Sequence, residues 1–182
     1  GFSSINNLNC AQNQLTSLDI SQNLSLGVLS CNINQLTNLD VTLNTALTSL
    51  NCQDNLLTSL DLTNNVSLNT LYCNNNQLTN LDVSQNTALT NLQVQNNQLT
   101  GLDISQNISL SSLWCHNNQL TSLDLSQNTS LTGIYCDYNN LTNLDLRNGN
   151  NINVTDQVFD NNPNLNCISV DDANWATANW LN

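Results

Sequence analysis

The sequence predicts a β-rich solenoid: a short parallel β-sheet built from nested coils of 21 residues, with little or no helix. Three observations carry this expectation. The dipeptide Leu-Thr recurs at Leu15, Leu36, Leu57, Leu78, Leu99, Leu120 and Leu141, always 21 residues apart. Within each unit, LxL and LxC triplets alternate with the period of two that marks a half-buried strand. Asn and Asn-Asn positions follow, where the chain turns and side-chain amides bond to backbone. A repeat of this length means stacked coils. Half-units of ten or eleven residues are too short for a strand, a helix and two turns, so helices are not expected on either side.

Taken in order, residues 1–14 read as a partial N-terminal repeat or cap, with "LNCAQNQ" at 8–14 a half unit. Only Phe2 and Ile5 are available to cover that end; either they form a minimal cap or the natural chain begins earlier with more coils. Residues 15–146 hold the leucine-rich repeats, six full units spanning 15–140. Each unit is two similar halves: Leu110, Leu113, Cys115, Asn118 and Leu120 spell LxxLxCxxNxL, and Leu99, Leu102, Ile104, Asn107 and Leu110 nearly repeat it with one extra residue. Stacking is the only way to bury every leucine column. Asn34, Asn55, Asn76, Asn97, Asn118 and Asn139 then form a ladder whose amides satisfy backbone groups in the turns. Residues 147–182 read as an irregular repeat and cap. Cys167 continues the cysteine column there after a ten-residue insertion, with Phe159, Trp175 and Trp180 as cap packing rather than a sugar platform.

Composition limits the partners. The net charge is −12, there is no lysine, Arg147 and His116 are the only basic side chains, and all thirteen acidic residues are Asp. Nucleic acid, which demands many phosphate-neutralising cations, is excluded as a partner, and so is an anionic membrane surface. No apolar run is long enough to span a bilayer. The opening Gly-Phe-Ser-Ser shows no signal peptide, which suggests a mature fragment or excised module, a monomeric part of a longer chain.

Three columns invite chemical readings. Cys10, Cys31, Cys52, Cys73, Cys115 and Cys136 stack about 4.8 Å apart, against a Cβ separation of about 3.8 Å in a disulfide. A column cannot surround an ion with four converging ligands. Val94 occupies the Cys position in the unit 78–98, so a small apolar side chain suffices. Buried, reduced, structural cysteines are therefore expected, with disulfides the alternative. Asp19, Asp40, Asp61, Asp82, Asp103, Asp124 and Asp145 form an unbroken outward column. Neighbouring carboxylates about 5 Å apart repel by roughly 1 kcal/mol even in water. Hydrogen bonds from turn amides and from Thr or Ser hydroxyls, Thr16 and its equivalents being close in sequence, would offset that. Bound Ca²⁺ is the alternative, with Asp61, Asp82, Asp103 and Asp124 as weak candidate ligands and no DxDxD-type loop to support it; no cofactor is otherwise implied. The Thr column from Thr16 to Thr142 resembles one row of an ice-binding array, but its neighbouring column varies among Ser, Asn and Gly.

The pattern LxxLxCxxNxLTxLDxSxN is similar to the bacterial 21-residue leucine-rich repeats with a cysteine ladder, the internalin J-like family, over about 8–146. The tail "NNPNLNCISVDDANWATANW" resembles the end of leucine-rich modules in secreted Bacteroidetes-type proteins. The resemblance implies a leucine-rich-repeat solenoid, export, display at the bacterial cell surface and binding rather than catalysis. It names no ligand, because contact positions vary within such repeats.

The candidate site follows from the positions the repeat leaves free. Residues flanking the buried Cys are expected to face outward. These are Tyr72, Gln93, Trp114 and Tyr135 before it, and Asn74, Gln95, His116 and Asp137 after it, with Tyr138 one step on. Aromatic rings give large contact area with few rotors and dominate binding hot spots; the structural alternative is cross-strand stabilisation alone. A protein or polysaccharide ligand is expected on this strand-bearing face. The alternatives are a spacer domain of a larger secreted protein and a dedicated carbohydrate-binding module. Catalysis is not expected, since the only imidazole and its neighbouring Cys lie on opposite faces of one strand.

Overall fold

The computed structural model describes residues 4–180, and Phe2 of the expected N-terminal cap lies outside them. In chain order the strands are β1 (Asn7–Asn9), β2 (Val28–Ser30), β3 (Ser49–Asn51), β4 (Thr70–Tyr72), β5 (Asn91–Gln93), β6 (Ser112–Trp114), β7 (Ser122–Asp124), β8 (Gly133–Tyr135), β9 (Asn143–Asp145), β10 (Asp156–Val158) and β11 (Ile168–Ser169). A 3₁₀ turn covers Asn151–Asn153, and one helix, α1, spans Ala173–Trp180. Eight strands, β1 to β6 followed by β8 and β10, form one parallel sheet; β7, β9 and β11 form a second. The molecule is thus a parallel β-solenoid with a step of about 21 residues per turn and almost no helix.

Each strand is three residues long or shorter because its middle residue alone faces inward. Leu29, Leu50, Leu71, Leu92, Leu113 and Ile134 pair in register through the first sheet and are fully buried. Cys31, Cys52, Cys73, Val94, Cys115 and Cys136 form the adjoining buried column, and every cysteine is free. Packing this regular stack requires no side chain larger than Leu in the repeats, which explains why the pattern tolerates so little variation inside.

Two Asn ladders close the turns, and they are not equivalent. In the first, Asn118 Nδ2 donates to the carbonyls of Cys115 and Val94, and its Oδ1 accepts the Leu99 N–H at 2.9 Å. The same pattern repeats at Asn34, Asn55, Asn76, Asn97 and Asn139. In the second, Asn107 Nδ2 donates to Val83 O and Asn86 O, while its Oδ1 is buried without a partner, as are those of Asn44, Asn65, Asn86 and Asn128. The second residue after each Cys-column position adopts a left-handed backbone: Gln12, Ile33, Asp54, Asn75, Asn96, Asn117 and Tyr138, all with φ between 51° and 56°. Asn tolerates that region; β-branched Ile33 is strained there.

The tail corrects the expected register. Strand β10 pairs with β8 so that Val158 lies opposite Tyr135, which places Phe159, not Cys167, next to Cys136. Asn162 confirms the frame, donating to Cys136 O and Phe159 O while accepting the Leu141 N–H. The coil therefore carries two extra residues rather than ten. Cys167 is exposed and immediately precedes β11, whose Ile168 and Ser169 pair with Leu144 and Asp145 in the second sheet. Matching cysteine to cysteine misled because the core position at the end of the stack is taken by a larger apolar residue. Phe159 packs against the core and meets Trp180 edge-on at 6.0 Å, with Trp175 5.6 Å beyond. Helix α1 supplies both tryptophans. Asp172 starts it by accepting the N–H groups of Asn174 and Trp175, an N-cap that the "DDANW" stretch spells out.

Candidate binding face

Outward residues of the first sheet lie on a regular grid: one strand per coil along the solenoid axis, and positions two residues apart across it. On β1 to β3 the central outward column holds Asn9, Ser30 and Asn51. From β4 onward it holds Tyr72, Gln93, Trp114 and Tyr135, each half-buried. Because β6 and β8 pair with Trp114 opposite Tyr135, the two rings meet at 4.9 Å with a 49° tilt. His116 lies two residues beyond Trp114 on the same face, 6.2 Å from that ring and 6.5 Å from Tyr135. The register thus assembles three rings from two coils. Tyr72 is separated from them by the Gln93 strand and stands apart from the cluster.

The column after the cysteines departs from expectation. Asn74 and Gln95, expected to face solvent, are only 5% and 6% exposed. Their carbonyl oxygens, together with Nδ1 of His116, are buried with no hydrogen-bond partner. Neighbouring coils about 4.8 Å apart leave these outward side chains packed against one another along the column. Asp137 is half-buried, and Tyr138, in its left-handed conformation, is 55% exposed.

The corrected tail adds residues to this face that the sequence reading missed. Asp156 pairs with Gly133, and Val158 with Tyr135. Asp160 stands next to the Asp137 level, since its carbonyl accepts the Tyr138 N–H. The hydrogen bond between the Tyr135 hydroxyl and Asp156, with a smaller contribution from burial, raises the phenol above its ordinary range. The signal that could have found them is "FDNNPNL", which repeats the "CDYNNLTNL" pattern with Phe for Cys.

The other columns have structural occupations. Each column Asp accepts the backbone N–H of the residue two positions on: Ser21, Thr42, Thr63, Ser84, Ser105, Ser126 and Arg147. The partner is thus the residue after the strand rather than Thr16 and its equivalents before it. Those bonds hold Asp19, Asp61, Asp82 and Asp103 below the usual carboxylate range; a bond from Arg147 pulls Asp145 to about 2. No group of three His, Cys or Asp side chains among the described residues could hold a metal ion. Burial pushes the Cys31, Cys73 and Cys136 thiols to about 12 and the Cys115 thiol well above its usual value. Cys115 is buried in the core column and turned away from His116, so the two do not form a Cys–His pair.

No protein-family model and no curated protein sequence matches the chain. Solved structures do. The functional domain of InlJ from Listeria monocytogenes, which includes a cysteine ladder, is 28% identical over 92% of this chain, with a TM-score of 0.63. A leucine-rich-repeat protein of Leptospira interrogans aligns over 92% at 25% identity and a TM-score of 0.76. YopM, a leucine-rich effector protein from Yersinia pestis, aligns over 91% at 28% identity and 0.74. The chain spans less than half the length of each, 44%, 44% and 46% respectively.

Proposed function

We propose that this chain, a leucine-rich-repeat solenoid of 21-residue coils with an internal cysteine ladder, is a non-catalytic binding module displayed outside the cell. It engages a protein or glycan through the strand-bearing face around Trp114, His116 and Tyr135. The observation that carries this is the break in pattern on that face. Coils whose interior and turns are nearly identical present amides at one end and a three-ring cluster at the other. Folding needs none of these rings, because the first coils stack with Asn and Ser in the same column. The likeness to the InlJ domain and to YopM supports an interaction module, and the resemblance of the repeats to the internalin J-like family underlies the reading of a surface or secreted location. Among the described residues no helix is long and apolar enough to cross a membrane.

Glycan arrays and peptide libraries probed with the wild type and with Trp114→Ala test the reading. A ligand held by the wild type and lost in the variant supports it. Binding that survives the substitution moves the site elsewhere, and no binding on either array favours a spacer.

A further inference from the structure

The electrostatics of this face restrict the partner further, on the premise that it is the binding surface. Three carboxylates surround the rings: Asp137 on the Tyr135 level, and Asp156 and Asp160 on the next. None has a cationic partner among the described residues; the single arginine, Arg147, is engaged with Asp145. Asp137 and Asp160, on adjacent coils about 5 Å apart, repel; no turn amide of the kind that satisfies the Asp column is bonded to any of the three side chains among the described residues, and Asp156 is engaged by the Tyr135 hydroxyl. Further along the column, the side-chain oxygens of Asn74 and Gln95 and His116 Nδ1 are buried without a hydrogen-bond partner and lie out of a ligand's reach. The face therefore offers aromatic faces and negative charge. A ligand matching both is a cation.

We infer that the face takes a basic polypeptide segment. An Arg side chain lies over the Trp114 and Tyr135 rings and turns its N–H groups toward Asp137 and Asp160, and a second basic side chain of the segment reaches Asp156, four residues and about 13 Å along β10 from Asp160. Arg fits better than Lys because its planar guanidinium stacks on rings and presents five donors with no acceptor. An acidic polysaccharide is repelled by the same carboxylates and by the whole molecule, whose net charge is −12. A neutral glycan would stack on the rings and donate hydroxyl hydrogen bonds to the carboxylates, but would leave their charge uncompensated.

The test uses the chain itself and labelled peptides of about eight residues in which Ser alternates with Arg, Lys or Glu. Fluorescence anisotropy is read at low and at about threefold physiological salt, since the charge contribution is screened. Three variants are compared with the wild type: Trp114→Ala, the triple change of Asp137, Asp156 and Asp160 to Asn, and the same triple change at Asp61, Asp82 and Asp103. The last removes equal charge elsewhere while Asn still accepts the turn N–H; melting curves confirm that each variant folds. The expected order is Arg tighter than Lys, with no binding of Glu. The Arg peptide should weaken about tenfold or more in the first two variants, and less than about threefold in the third. Equal weakening in both triple variants would mean attraction to net charge alone and would overturn the inference. A neutral ligand that needs Trp114, with no binding of the Arg peptide, would overturn it too while leaving the binding surface in place. Loss of the premise itself would show as Arg binding indifferent to Trp114 and to both triple variants.

Discussion

Replacing Asn97 by Asp tests how the coils are held together, with almost no change of shape. Asn97 is buried at the centre of the stack. Its Nδ2 faces three carbonyls, Cys73 O at 3.1 Å, Val94 O at 3.0 Å and Gln95 O at 3.4 Å, and its Oδ1 accepts the Leu78 N–H at 2.9 Å. An Asp side chain keeps the acceptor for Leu78 but turns a second oxygen toward three others. Buried there, the carboxyl must become protonated or leave its site. A folded-state pKa raised by about 3 units above the unfolded value corresponds to about 4 kcal/mol, lost in full at pH 7.5. The sign follows from linkage: a raised pKa makes the penalty vanish below the unfolded value and grow as pH rises through the folded one. Once protonated, the side chain donates to one carbonyl. Cys73 O and Val94 O keep second donors from Asn76 and Asn118, leaving a residual deficit of about 1–2 kcal/mol. Urea denaturation of Asn97→Asp, of the exposed control Gln98→Glu and of the wild type should therefore give a large deficit for the first at pH 7.5, shrinking by more than half near pH 4.5. The wild type must be measured at each pH, because its own column carboxylates sit below their usual range and withdraw support as pH falls under about 4. A deficit independent of pH, or none, would refute the account of the ladder.

Three further outcomes follow from the same geometry. Ile33→Asn removes a β-branched residue from φ 56° at a position where Asn75, Asn96 and Asn117 already sit, and should raise stability by about 1 kcal/mol in urea titration; a loss would mean that the exposed Ile33 side chain packs usefully. Thiol titration of the native protein should find Cys167 reacting fast, the half-buried Cys10 slowly, and the other five only after denaturation, with seven thiols in total and a shortfall indicating disulfides. Cys115→Val should cost less than about 1.5 kcal/mol in thermal melts, since Val94 fills the same column one coil away; a larger loss would show that the ladder needs sulfur.

The repetitive part of the fold was legible because every coil repeats the same answer: a leucine column, a small column and an Asn in the turn can be buried only by stacking. Legibility ended where repetition ended. The final coil was misplaced by matching Cys167 to Cys136, when Phe159 holds the core position and Asn162 the turn. That slip also hid Asp156 and Asp160 from the candidate face. Within the face, the direction of Trp114, His116 and Tyr135 followed from strand alternation. The burial of Asn74 and Gln95 did not, because alternation says which way a side chain points and not how closely its neighbours along the column pack against it.

The division of labour among columns bears on how such a face can change. Inward positions and turn amides make the coil-to-coil bonds, and a solenoid's stability is close to a sum of coil and neighbour contributions. Outward strand positions enter that sum weakly: an exposed ring pair contributes about 0.5–1.5 kcal/mol beyond its area. Trp114 can therefore be removed at small structural cost, whereas Asn97 cannot even lose a proton-bearing nitrogen. Substitution in the outward columns is nearly free of folding consequences, so charge and aromatic character there can change without unstacking the coils. Carboxylates gathered around rings at one end, against plain amides at the other, are hard to attribute to folding, because the amide end stacks equally well without them.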